Sequence, residues 1–113
     1  MSATSSTLLK TIPIFPRDDV IAVLREDLLR AVRRRYRRKG LPLPKDDADI
    51  VLLTIEIDSL TVVEILAGLD DVLPFKVTEC VVKAGGYKSI AGALDHLASR
   101  IEKKWDKFQG LSK

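Results

Sequence analysis

Apolar residues fall at helical spacing in three stretches of the chain. Between Pro16 and Gly40, residues Ile21, Leu24, Leu28, Val32 and Tyr36 form one stripe, widened by Val20, Leu29 and Ala31. Pro16 marks the start of this first helix, Asp18 or Asp19 is placed to accept hydrogen bonds from its free first-turn amides, and Gly40 supplies the stop. A second helix opens at Asp58 or Ser59, either of which is a good N-cap. Val62, Ile65, Leu66, Leu69 and Leu73 follow at helical intervals until Pro74, and Thr61, Glu64, Gly68 and Asp71 are left for the outer side. The last helix begins near Ser89 and runs through Ile90, Leu94, Leu97, Ile101 and Trp105, with Trp105 covering the end of the bundle. A short apolar helix from Thr78 to about Lys83, with Cys80 as a small core residue, ends at the left-handed signal Gly85-Gly86.

What lies between the helices is equally patterned. Leu41-Pro42-Leu43-Pro44 forbids helix and opens a long connection to about Asp58. Its residues Ile50, Val51, Leu52, Leu53, Ile55 and Ile57 resemble a strand, but no other segment alternates to pair with it, so an ordered loop that plugs apolar side chains into the core is expected. Residues 1–16 are polar and then proline-broken, which predicts a flexible N-terminal tail with Leu8, Leu9, Ile12, Ile14 and Phe15 lying on the domain. Residues 17–105 then form one domain and 106–113 a C-terminal tail. The fold class expected is all-α: a four-helix bundle of three main helices and one short one, with a long first loop.

Composition narrows the chemistry. The 113 residues, 46% hydrophobic and 31% charged, suffice for one core without disulfide or metal staples. A single cysteine, Cys80, excludes an intramolecular disulfide and paired-thiolate zinc, and a single histidine, His96, leaves little for a triad or metal cluster. No metal site and no catalytic machinery of its own is expected, so the chain reads as a non-enzyme. No apolar run approaches a membrane span and no leader pattern opens the chain, which predicts a cytoplasmic protein, monomeric.

Charge is segregated beneath a net value of +3. Arg17 to Lys39 carries 9 basic and 4 acidic residues, whereas Leu43 to Asp71 carries 1 basic and 8 acidic. Arg33, Arg34, Arg35, Arg37, Arg38 and Lys39 surround Tyr36 at the negative end of the first helix. Such a run suits an acidic docking partner, or nucleic acid with Tyr36 available to stack. It is equally a helix terminus that favours positive charge, with Asp46, Asp47 and Asp49 nearby to pair with it.

The sharpest local feature is Ile57-Asp58-Ser59-Leu60, which sets a serine hydroxyl where a loop enters a helix. No histidine or lysine stands close enough in sequence to make Ser59 a nucleophile, whereas a phosphate ester on it would sit near unpaired amides. Ser59 can also be read as a plain N-cap. With the following Glu64 and Leu66, and with Tyr87-Lys88-Ser89-Ile90 leading into the last helix, the chain resembles the acyl carrier proteins, including their peptidyl and aminoacyl variants, over roughly Asp18 to Ile101. The resemblance implies an acyl-carrier-like bundle. In it Ser59 would bear 4'-phosphopantetheine from coenzyme A, installed by a phosphopantetheinyl transferase to which Asp58 helps present the serine. It further implies an acyl- or aminoacyl-loading ligase and a downstream acyltransferase or synthase as partners, met by Leu60, Glu64, Asp70 and Asp71. Arg34, Arg35, Arg37 and Arg38, which the resemblance leaves unexplained, are expected to offer a second docking patch.

Two departures qualify that likeness. Thr54-Ile55-Glu56-Ile57 stands where family members usually have a glycine two residues before the aspartate, and the net positive charge differs from the strongly acidic carriers of fatty-acid synthesis. A specialised carrier is therefore implied. The competing expectation is an unmodified helical module that binds nucleic acid or an acidic partner through the basic end of the first helix.

Overall fold

A computed structural model describes residues 14–109. The tail positions Leu8, Leu9 and Ile12 and residues 110–113 lie outside the described residues. Four α-helices are present among those described: α1 (Arg17–Lys39), α2 (Asp47–Leu52), α3 (Ser59–Ile65) and α4 (Ile90–Phe108). A 3-10 segment, Leu66–Asp71, continues α3, and a 3-10 turn, Glu79–Val81, precedes α4. None of the described helices is long and apolar enough to cross a membrane.

The stripes read from the sequence are the buried faces. Val20, Leu24, Leu28 and Val32 of α1 pack with Ile90, Leu97 and Ile101 of α4, while Val62, Leu66 and Leu69 close the third side. Each fully buried Leu or Ile contributes about 1.5–3 kcal/mol, which makes this seam the principal stabilising contact. α1 ends at Gly40, whose φ of 69° allows its amide to bond back to the carbonyl of Arg37. Its start differs from expectation. Neither Asp18 nor Asp19 caps it; the residue at the cap position is Pro16, whose carbonyl accepts from the Val20 amide at 3.0 Å.

The long connection is more structured than a loop. Asp47–Leu52 forms the helix α2, a turn and a half that buries only Ile50, while Leu52 and Leu53 point outward. Ile55 and Ile57 do plug the core, and the strand-like segment has a partner after all. The Ile57 amide donates to the Tyr87 carbonyl and the Tyr87 amide returns to the Ile57 carbonyl, both at 2.8 Å, with Ile55 reaching Lys88. One antiparallel bridge leaves no alternating pattern to read, because the partner contributes a single residue pair.

Further positions refine or correct the sequence expectation. Thr78 to Lys83 makes only the three-residue 3-10 turn, so Val77 and Val81 turn inward and Cys80 is exposed rather than in the core. Gly68 is exposed, as expected, yet the side that would carry a side chain faces α1. A Cβ there would lie 2.6 Å from Asp27 Oδ2 and 3.3 Å from Val23 Cγ1, so its lack of a side chain lets the 3-10 segment approach α1. At the chain ends, α4 continues past Trp105 to Phe108, whose ring meets Phe75 at 5.1 Å, and Phe15 packs on Trp105 at 5.8 Å as part of the core.

Gly86 combines a φ of 84° with a Cβ position only 2.1 Å from the Ile57 carbonyl oxygen, whereas Gly85, at φ 88°, faces open space. Gly86→Ala is expected to destabilise by about 2 kcal/mol or more through clash and lost bridge bonds, and Gly85→Ala by about 1 kcal/mol from backbone strain alone. Denaturant unfolding of the two variants measures the difference.

Candidate functional site

Ser59 occupies the first turn of α3, and its neighbours decide what its hydroxyl does. Asp58 is the N-cap: in extended backbone, its Oδ1 accepts from the Thr61 amide at 2.8 Å. Ser59 is thereby released from capping, and its side chain makes no hydrogen bond to any described residue. It is half-buried, between an exposed Asp58 and a Leu60 that is 66% exposed. The Ile57–Tyr87 bridge immediately upstream sets the phase in which the chain enters α3, so the segment that presents Ser59 is anchored to the core.

The same cap governs the charge of Asp58. The Thr61 amide, followed by the Thr61 hydroxyl, holds its carboxyl below the usual carboxylate range, and the Arg35 guanidinium adds to the shift. Arg35 therefore acts on Asp58 from the opposite helix. Arg34, Arg35 and Arg38 line a cleft between α1 and α3 with Thr61 and Glu64, while Arg37 is not among its walls. Arg33 turns the other way and is paired with Asp47 of α2. That pair realises the expected contact between the basic run and the loop carboxylates.

No family model matches this chain, and no curated protein or solved structure is significantly similar to it. The chemistry at Ser59 thus rests on its own residues. Among the described residues, no group of three or more His, Cys, Asp or Glu side chains gathers as a metal site.

The acidic positions expected to act together are divided. Glu64 faces the arginine cleft; Asp70 and Asp71 lie in the 3-10 segment beyond, and Asp70 is 3.7 Å from Lys76 Nζ. Exposed as both partners are, that pair contributes at most about 1 kcal/mol.

A pair missed by sequence reasoning supports the site from behind. The Tyr87 hydroxyl accepts from the Lys83 amide at 2.9 Å and lies 2.7 Å from His96 Nδ1, to which it donates when that nitrogen is unprotonated. Burial, then the charges of Arg100 and Lys83, push His96 below its ordinary pKa and favour this neutral form. His96 thus holds Tyr87, whose backbone holds Ile57. The sequence signal was an aromatic and a histidine 9 residues apart, which carries no meaning until α4 turns one toward the other.

Two outcomes follow for stability. Asp58→Ala should cost about 1 kcal/mol and Asp58→Asn much less, since asparagine also caps. Because the folded Asp58 pKa is depressed, its contribution is present above about pH 3.9 and is lost as pH falls through the lowered value, a dependence that Asp58→Asn removes. His96 is likewise depressed, so its contribution is intact above about pH 6.5 and declines as pH falls toward the lowered value. Urea titrations from pH 7.5 to 5 should show that decline in the wild type and lose it in His96→Gln.

Proposed function

We propose that this protein is a carrier: Ser59 bears 4'-phosphopantetheine, and the chain delivers an acyl or aminoacyl group between partner enzymes. The observation that carries this reading is the division of labour at the mouth of α3. Asp58 satisfies the Thr61 amide, and the half-buried Ser59 keeps a hydroxyl that no described residue engages. A serine needed only for capping would occupy the position that Asp58 holds.

The residues present fit the group. An ester on Ser59 Oγ displaces no hydrogen bond to a described residue, and the ionised Asp58 stands beside it to help present the serine to a phosphopantetheinyl transferase. When bound, the group supplies a flexible arm ending in a thiol that holds cargo as a thioester. The chain's own contribution is to hold Ser59 at the surface on an anchored helix and to offer Leu60 and Glu64 as contacts for partners. A loading ligase and an acyltransferase or synthase are the partners this reading requires. With the basic end of α1 beside Ser59, those partners differ in surface charge from the enzymes that dock on uniformly acidic carriers, which favours a specialised pathway.

A second reading, an unmodified module that binds an anionic partner through the basic end of α1, is favoured by Arg34, Arg35 and Arg38 having no carboxylate partner within ion-pair distance among the described residues. Intact mass after incubation with coenzyme A and a broad-specificity phosphopantetheinyl transferase separates the two. The carrier reading expects a single phosphopantetheinyl increment on the wild type and none on Ser59→Ala. An unmodified wild type, or an increment that survives Ser59→Ala, overturns it.

A further inference from the structure

The cleft between α1 and α3 holds chemistry that attachment at Ser59 does not use. Arg30, Arg34 and Arg38 recur every four residues along α1, so one face of the helix carries three guanidinium groups in a row, with Arg35 beside them. Thr61 and Glu64 of α3 form the facing wall of a cleft of about 330 Å³. Like charges at this spacing repel, and α1 tolerates the repulsion with only Arg30 of the three neutralised by a paired carboxylate. Arg30 has Asp27 at 2.9 Å and Arg33, off the cleft, has Asp47, but Arg34, Arg35 and Arg38 have no carboxylate within ion-pair distance among the described residues. Among the lining residues, four guanidinium groups against Asp27 and Glu64 leave an excess of two positive charges, with Asp58 close enough to feel Arg35.

We propose that this cleft is a binding site for a dianionic phosphate group carried by a small molecule. Guanidinium forks match phosphate oxygens in geometry as well as charge, and the excess positive charge of the lining suits the nearly dianionic state of a phosphate monoester near neutral pH. The lining comes from two helices and gathers its guanidinium groups round a small volume, which suits a compact group. A nucleic-acid strand would instead follow the outside of α1, where Arg37 and Lys39 are exposed and do not line the cleft. This proposal does not rest on modification of Ser59.

The test uses inorganic phosphate on the full unmodified chain, by calorimetric titration and thermal unfolding, with chloride at equal ionic strength as reference. Saturable binding and a rise in Tm specific to phosphate are expected. Arg34→Gln combined with Arg38→Gln should lose at least tenfold in affinity, yet be no less stable than the wild type in phosphate-free buffer, because repulsion along α1 is relieved. Lys103→Gln with Lys107→Gln, in the separate basic cluster on α4, should bind as the wild type does. Ser59→Ala should also bind normally, so failure here is distinguishable from failure of the carrier reading. No phosphate effect beyond chloride, or equal loss in both double variants, overturns the site. Malonate binding as tightly as phosphate overturns the phosphate assignment in favour of a dicarboxylate. A single-stranded oligonucleotide whose binding is weakened as much by Arg37→Gln with Lys39→Gln as by the cleft variant overturns the small-molecule assignment.

Discussion

The close approach of Gly86 to the carbonyl of Ile57 is the constraint on which the Ser59 end of this molecule depends. Two backbone hydrogen bonds between Ile57 and Tyr87 form only because no side chain intervenes at residue 86. They join the end of the long connection to the lead into α4, bury Ile55 and Ile57, and fix the direction in which the chain enters α3. Tyr87 is held in turn through its hydroxyl by Lys83 and His96, so a short contact with almost no sheet character is supported from three sides.

From that anchor the chemistry at the mouth of α3 follows. With Ile57 held, Asp58 lies in extended backbone and reaches the Thr61 amide, and Ser59 falls on the first helical turn with its hydroxyl unengaged. Gly68 has the corresponding role at the far end, letting the 3-10 segment lie against Val23 and Asp27 of α1. The two glycines together set how α3 lies along α1, and so bring Thr61 and Glu64 opposite the arginines. The charge segregation along the chain thereby becomes a local feature, with basic and acidic segments meeting across one cleft beside Ser59.

Much of the fold was legible. The stripes on α1, α3 and α4 are buried as their spacing required, Gly40, Gly85 and Gly86 have positive φ, and Trp105 closes the bundle end. The failures have particular causes. α2 was hidden because a turn and a half of helix with one buried residue leaves no periodic signature, and Cys80 was misplaced because a 3-10 turn does not keep α-helical phase. Phe15 lies on the domain as expected, against a Trp105 that stands 90 residues away, but its neighbour Ile14 does not and is exposed. The candidate site was legible as the segment Ile57 to Leu60, but not as a geometry.

By itself the sequence determined three amphipathic helices, their buried faces and an acidic-then-serine pair at a helix mouth, because spacing, capping preference and helix breakers act over a few neighbouring residues. Only the tertiary structure decided that Asp58, and not Ser59, takes the cap, that His96 supports Tyr87, and that Arg34, Arg35 and Arg38 face Thr61 and Glu64. The cleft joins two helices far apart in sequence, the Asp58 cap follows once Ile57 is paired with Tyr87, and His96 meets Tyr87 only once α4 is set against the turn before it; local pattern encodes none of these.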